Sequence, residues 1–78
     1  MRDDIKESLI AYRDQRRPTG GFLEAVLENN LMGAICRADE DNQRDLFEIC
    51  YFVHTYLPAS CRGSKEIVTN WLYQEDGE

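Results

Sequence analysis

Residues 45–58, DLFEICYFVHTYLP, decide the expected fold because their apolar side chains recur at helical spacing. Phe47, Tyr51 and His54 widen the apolar stripe on one flank, and Pro58 follows its end. The stripe itself consists of Leu46, Ile49, Cys50, Val53 and Leu57. These residues lie at positions i, i+3, i+4, i+7 and i+11, a spacing typical of a helix with one buried face. The sequence therefore predicts its longest helix here, central in the fold, capped by Asp39 or Asp41 and ending near Leu57.

A first helix is predicted over about residues 3–16. Its buried positions, at i, i+4 and i+7, are Ile5, Leu9 and Tyr12. Asp3 or Asp4 can cap its start, where acidic side chains suit the positive end of the helix dipole. Pro18 then prevents its continuation.

Shorter helices complete the pattern. Thr19 is a candidate cap for a second helix that ends at Asn29, and residues 31–37 predict a short helical segment. After a loop at residues 58–63, Ser64 can cap a last helix. The buried side of that helix is predicted to contain Ile67, Val68, Trp71 and Leu72. The sequence thus predicts an all-α fold, a single domain over residues 1–78 built as a bundle of four to five short helices, with frayed ends at residues 1–2 and 74–78.

The length of the chain limits its chemistry. A domain of 78 residues buries only about 60% of the surface that its unfolded form exposes. Little room is left for a substrate pocket, which needs roughly 300 Å³ or more. There is one histidine, and no nucleophile motif surrounds any serine or cysteine. We therefore expect no catalytic activity, although Cys61, beside Arg62, is the one thiol whose pKa the sequence predicts to be lowered.

The net charge of −6 arises entirely in the second half of the chain. Residues 1–38 carry six acidic and six basic side chains, whereas residues 39–78 carry nine acidic and three basic ones. This balance disfavours direct binding of nucleic acid and favours basic protein surfaces. The predicted partner site combines five carboxylates with two aromatic anchors: Asp39, Glu40, Asp41, Asp45, Glu48, Phe52 and Tyr56. The alternative is that the acids only cap and solvate the helix while another segment covers Phe52.

The three cysteines, Cys36, Cys50 and Cys61, are odd in number and lie within or beside apolar segments. This pattern favours reduced thiols and a cytoplasmic protein. Neither a signal peptide nor a run of about 20 apolar residues is present. Cys50 and His54 have a spacing that can chelate zinc, with Cys36 and Cys61 as further ligands. No closely spaced cysteine pair supports such a site, so we expect neither metal nor cofactor.

Three segments resemble small proteins encoded by phages and prophages. They are PTGGFLEAVLENNL at residues 18–31, RADEDN at residues 37–42 and the Gly63-Ser64 pair. The resemblance covers about residues 9–72 and implies an origin in a mobile element. Small acidic proteins of that origin include anti-CRISPR proteins, which bind host defence nucleoproteins and cover their nucleic-acid channels. The association with them comes from size, charge and origin.

The leading hypothesis is a non-enzymatic inhibitor of the anti-CRISPR type. It would bind a basic surface, such as that of a Cascade-type effector subunit, in the cytoplasm of the host cell, as a monomer or weak homodimer. The alternative is a structural, assembly or regulatory adaptor that homodimerises through leftover apolar surface. A third hypothesis is a small thiol or metal protein.

Overall fold

Six α-helices and one 3₁₀ turn follow one another along residues 1–73, the part of the chain that the computed structural model describes. No strand occurs in this range. The elements are α1 (Asp3–Gln15), α2 (Gly21–Leu27), α3 (Leu31–Arg37), α4 (Glu40–Arg44), α5 (Leu46–Tyr56), a 3₁₀ turn (Ala59–Cys61) and α6 (Lys65–Tyr73). The predicted all-α fold is confirmed, and the predicted frayed tail at 74–78 lies outside the described residues.

The predicted long central helix is interrupted at Asp45. This residue has φ −95° and ψ 8°, ends the five-residue α4 and precedes the eleven-residue α5. The longest helix is instead α1, with 13 residues, and the six helices exceed the expected four to five. The side chain of Asp45 contacts Arg44 and the Met1 ammonium group. A short polar residue with partners outside the helix favours such a break.

Two predicted caps and one predicted helix end are confirmed. Oδ1 of Asp39 accepts a 2.9 Å hydrogen bond from the backbone N–H of Asn42 at the start of α4. Oγ of Ser64 accepts a 3.1 Å hydrogen bond from the N–H of Ile67 in α6. Asn29 has φ 63°, the left-handed conformation that often ends a helix. Local side-chain chemistry therefore sets these boundaries.

The starts of α1 and α2 differ from the prediction. Arg2 is the N-cap of α1 and provides no side-chain cap, so neither Asp3 nor Asp4 has that role. Gly20, with φ 96°, holds the cap position of α2 in place of Thr19. The first two residues, predicted to fray, both contact the bundle: the side chain of Met1 packs against the core, and Arg2 forms ion pairs.

One cluster of buried side chains joins five of the elements. Its members are Ile5, Leu9, Tyr12, Leu23, Leu27, Ile49, Val53, Leu57, Cys61 and Val68. Tyr12 lies at its centre and connects distant segments by hydrogen bonds: its hydroxyl donates to the carbonyl oxygen of Cys61 (2.6 Å), and its own carbonyl accepts from Nε1 of Trp71 (2.8 Å). The positions predicted to be buried in α1 are confirmed.

The segment between α5 and α6 is fixed by polar contacts to two helix ends. The guanidinium group of Arg62 donates to the carbonyl oxygens of Leu57 and His54, at 3.0 and 3.2 Å. The N–H of Gly63 donates to the carbonyl oxygen of Leu27, at 2.7 Å. Helix ends leave such carbonyls without partners of their own, so this loop satisfies the ends of α2 and α5 and holds α6 in position.

Candidate functional site

The acidic sector, defined as Asp39, Glu40, Asp41, Asp45 and Glu48, is brought together by α4 and the first turn of α5. Arg2 contacts Asp39 at 3.4 Å and Asp41 at 3.6 Å. Arg44 contacts Asp41 at 3.4 Å and Asp45 at 3.3 Å. The ammonium group of Met1 contacts Asp45 at 3.5 Å and also Glu48. Within the described residues, Glu40 is the one member of this sector with no ion pair.

Ion pairing changes the electrostatics of the acidic sector. Burial alone would raise the pKa of the Asp45 carboxyl, but Arg44 and the Met1 ammonium group lower it by more, and the pKa lies below its usual value. The hydrogen bond to Glu48 raises the pKa of the Met1 amino group, with Asp45 adding to the effect. Five carboxylates thus face three cations, which leaves a weaker negative field than the sequence predicts.

Phe52 and Tyr56, the predicted aromatic anchors, follow Glu48 along α5 at intervals of four residues, a spacing that places neighbouring side chains on one face of a helix. Their rings contact each other, with centroids 4.9 Å apart, and both line a cleft of about 550 Å³ between α5 and α1. Phe52 is half-buried against the core, whereas Tyr56 is 58% exposed. Of the acidic sector only Glu48 lines this cleft, which also contains Lys6 and Arg13. The structure therefore brings the anchors to one carboxylate of the acidic sector, Glu48, and to two basic side chains.

A different surface combines large exposed apolar side chains from α3 and α5. Phe47 is 83% and Tyr51 61% exposed, and their rings stack with centroids 6.3 Å apart and an interplanar angle of 19°. In α3, Met32 is 72%, Leu31 54% and Ile35 40% exposed. We call this surface the apolar face: Leu31, Met32, Ile35, Phe47 and Tyr51.

The two helices border each other at a small depression. A cavity of about 40 Å³ is lined by Leu31 and Ala34 of α3, Cys50 of α5 and Val26 of α2. Phe47 and Tyr51 flank Cys50 along α5, one turn before it and one residue after it. The depression therefore brings Leu31 of α3 close to Cys50, the residue that precedes Tyr51 on α5. The sequence pattern placed Phe47 and Tyr51 on the flank of the buried stripe and gave no role to the apolar residues of α3.

The thiols occupy three different environments: Cys36 is exposed, Cys50 half-buried and Cys61 buried. Burial raises the pKa of Cys61 although Arg62 and Arg13 oppose it, which corrects the prediction of a lowered pKa. Its Sγ donates to the carbonyl oxygen of Pro58, at 3.3 Å. Burial likewise raises the pKa of Cys50, which lines a shallow cleft of about 290 Å³ with His54. Across residues 1–73, no three metal-ligating side chains of histidine, cysteine, aspartate or glutamate come together.

Comparison with known proteins identifies no relative: no protein-family model, curated protein or solved structure matches the chain. The resemblance to phage proteins therefore stays a prediction. Among the described residues, no helix is long and apolar enough to cross a membrane. The functional argument depends on the surfaces described above.

Proposed function

We propose that the protein is a non-catalytic interaction protein that acts through the apolar face. The observation that carries this proposal is the stacked pair Phe47 and Tyr51, exposed on α5, together with the exposed apolar side chains of α3. Large apolar patches on a protein surface often mark interaction sites. Rigid aromatic rings are also the side chains that most often dominate binding energy.

The buried polar groups support a structural rather than a chemical role for the interior. The hydroxyl of Tyr12 donates a hydrogen bond to the carbonyl oxygen of Cys61, and Nε1 of Trp71 donates one to the carbonyl oxygen of Tyr12. Burial raises the pKa values of Cys50 and Cys61, so their thiols are mainly protonated at neutral pH. Such groups stabilise a fold whose surface carries the function.

A second candidate is the acidic inhibitor of the anti-CRISPR type, which would bind a basic protein surface such as a Cascade-type effector subunit. The observation that favours it is the excess of carboxylates over cations in the acidic sector, where Glu40 makes no ion pair with any residue between 1 and 73. Tyr56, which is more than half exposed, would add apolar contact at the edge of such an interface. Electrostatic steering of this kind weakens as salt is added.

Capture of partners from host-cell lysate separates the two candidates. One variant places charges on the apolar face by combining Met32→Glu with Phe47→Glu. The other variant neutralises three acids of the acidic sector by combining Asp41→Asn, Asp45→Asn and Glu48→Gln. Neutral isosteres are preferable to lysine, because lysine would face Arg2, Arg44 and the Met1 ammonium group and strain the fold. If the apolar face binds the partner, the variant with neutral isosteres should still capture it, also in about 1 M salt. The variant with Met32→Glu and Phe47→Glu should not. The reverse pattern supports the acidic inhibitor and overturns our first choice.

A further inference from the structure

We infer that the occupant of the apolar face is a second copy of this chain, so that the protein forms a two-fold symmetric homodimer through α3 and α5. The inference rests on the proposed function, since it names the partner of that same surface. It draws on the size of the face, its lack of charge and the matching lengths of its two halves.

The area of the apolar face fits a small dimer interface. Its side chains are between 40% and 83% exposed. With roughly 150–250 Å² for a fully exposed aromatic side chain and less for an aliphatic one, the face presents on the order of 500 Å² of surface. A standard interface buries about 800 Å² per partner, polar rim included. The apolar face therefore supplies most of the area that a stable dimer needs.

The chemistry of the face favours a like partner over a basic one. None of its five side chains is charged, and homodimer interfaces have apolar centres depleted in charge. A basic partner would need unpaired carboxylates here, whereas four members of the acidic sector already contact Arg2, Arg44 or the Met1 ammonium group. Flanking residues of both signs, Arg44 and Glu48, stand 70% and 59% exposed. A mixed rim allows two copies to meet despite the net charge of −6.

The two halves of the face match in length. Leu31 and Ile35 are four residues apart on α3, and Phe47 and Tyr51 are four residues apart on α5. Each pair spans about 6 Å along its helix axis. In an isologous interface each patch meets the complementary patch of the other copy. The aromatic turn of α5 can therefore pack along the apolar turn of α3 in the second copy, where Met32 adds a sulfur–aromatic contact.

Sedimentation equilibrium of the untagged chain from about 5 to 500 µM, which covers micromolar dissociation constants, tests the inference. We expect a reversible dimer that tightens with added salt, because salt screens the repulsion between two acidic chains. Met32→Glu and Phe47→Glu, tested separately, should each raise the dimer Kd by about 100-fold, since each charge enters a two-fold interface twice. Tyr56→Glu changes an aromatic residue outside the face that is also more than half exposed; it is the control and should leave Kd nearly unchanged.

The outcomes separate this inference from the proposed function. A dimer that survives both glutamates, or dissociates equally with Tyr56→Glu, overturns the inference. So does a chain that stays monomeric at the highest concentration. In that last case the fluorescent dye ANS reports on the face itself. If the wild-type chain binds the dye and the double variant Met32→Glu with Phe47→Glu does not, the proposed function stands but its partner is a different molecule. If the wild-type chain binds no dye, both the inference and the proposed function are wrong. Circular dichroism confirms that each variant is folded.

Discussion

The hydroxyl group of Tyr12 in α1 donates a 2.6 Å hydrogen bond to the carbonyl oxygen of Cys61, and both groups are buried. The two residues are 49 positions apart in the chain. The carbonyl oxygen of Tyr12 also accepts a hydrogen bond from Trp71 of α6. One residue thus connects the first helix, the 3₁₀ turn and the last helix, so its substitution should lower the stability of the whole fold.

Replacing Tyr12 with phenylalanine tests this connection. We expect the free energy of unfolding to fall by about 1–3 kcal/mol, because the carbonyl oxygen of Cys61 would stay buried without its partner. Urea denaturation followed by circular dichroism measures the change. Tyr56→Phe removes the hydroxyl of an exposed ring and should be nearly neutral. Equal losses in the two variants would contradict the role assigned to Tyr12.

The same hydroxyl should make the stability depend on alkaline pH. Burial raises the pKa of Tyr12 above its usual value near 10. Below that value the hydroxyl is protonated in both states, and its contribution to stability is fully present. Above it the unfolded chain ionises first, which favours unfolding. The stability difference between wild type and Tyr12→Phe should therefore shrink between about pH 9 and pH 11.5. A constant difference across this range would refute the prediction.

The periodicity of apolar residues predicted most of the bundle, because the apolar stripes of a small helical protein are buried in its interior. Ile5, Leu9 and Tyr12 are buried as expected, and so are Ile49 and Val53. The interruption at Asp45 could not be predicted in this way. Residues 39–45 are all polar, so no apolar stripe marks the break, which coincides with contacts of Asp45 with Arg44 and Met1. Contacts with Met1 are invisible to a local pattern.

The candidate site shows the limit of a sequence pattern. The pattern predicted a partner site of five acids and two aromatic anchors, but it could not show that Arg2, distant in sequence, pairs with Asp39 and Asp41. It also widened the buried stripe of α5 to include Phe47 and Tyr51, which are exposed. Deciding which flank of a stripe is covered requires the positions of neighbouring helices. The available signal was the group of apolar residues at positions 31, 32 and 35, to which the pattern gave no role.

The side chain of Asp39 caps α4, so substitutions at this residue test its structural role in the acidic sector separately from its charge. Asp39→Ala should lower the free energy of unfolding by about 1 kcal/mol, because the N–H of Asn42 loses its acceptor. Asp39→Asn keeps an acceptor oxygen and should retain most of the stability despite the lost charge. Glu40→Ala, at a position without an ion pair, is the control. Thermal unfolding of the three variants checks this order, and a larger loss in Asp39→Asn than in Asp39→Ala would reject it.

The three thiols should differ in reactivity. Cys36 is exposed on α3, whereas burial both shields Cys50 and Cys61 and raises their pKa values. Since the thiolate is the reactive form, iodoacetamide at pH 7.5 should modify Cys36 first and Cys61 last. Peptide mass spectrometry over time, at low micromolar protein to keep the chain dissociated, gives the order. Complete modification in urea provides the reference, and early modification of Cys61 would contradict its placement in the core.

Gly63 holds the loop that satisfies the end of α2, and its conformation requires glycine. Its φ is 125°, and its N–H donates to the carbonyl oxygen of Leu27. An added Cβ would find space, 3.7 Å from Ile67, so the cost of Gly63→Ala comes from the backbone. We expect a loss of about 1–3 kcal/mol. Gly21→Ala, at the start of α2, meets only the flexible side chain of Arg37 at 3.4 Å and should be neutral or stabilising, because alanine favours helix. Chemical denaturation should therefore show a loss of stability in Gly63→Ala only, and a loss of equal size in both variants would contradict the role assigned to φ at residue 63.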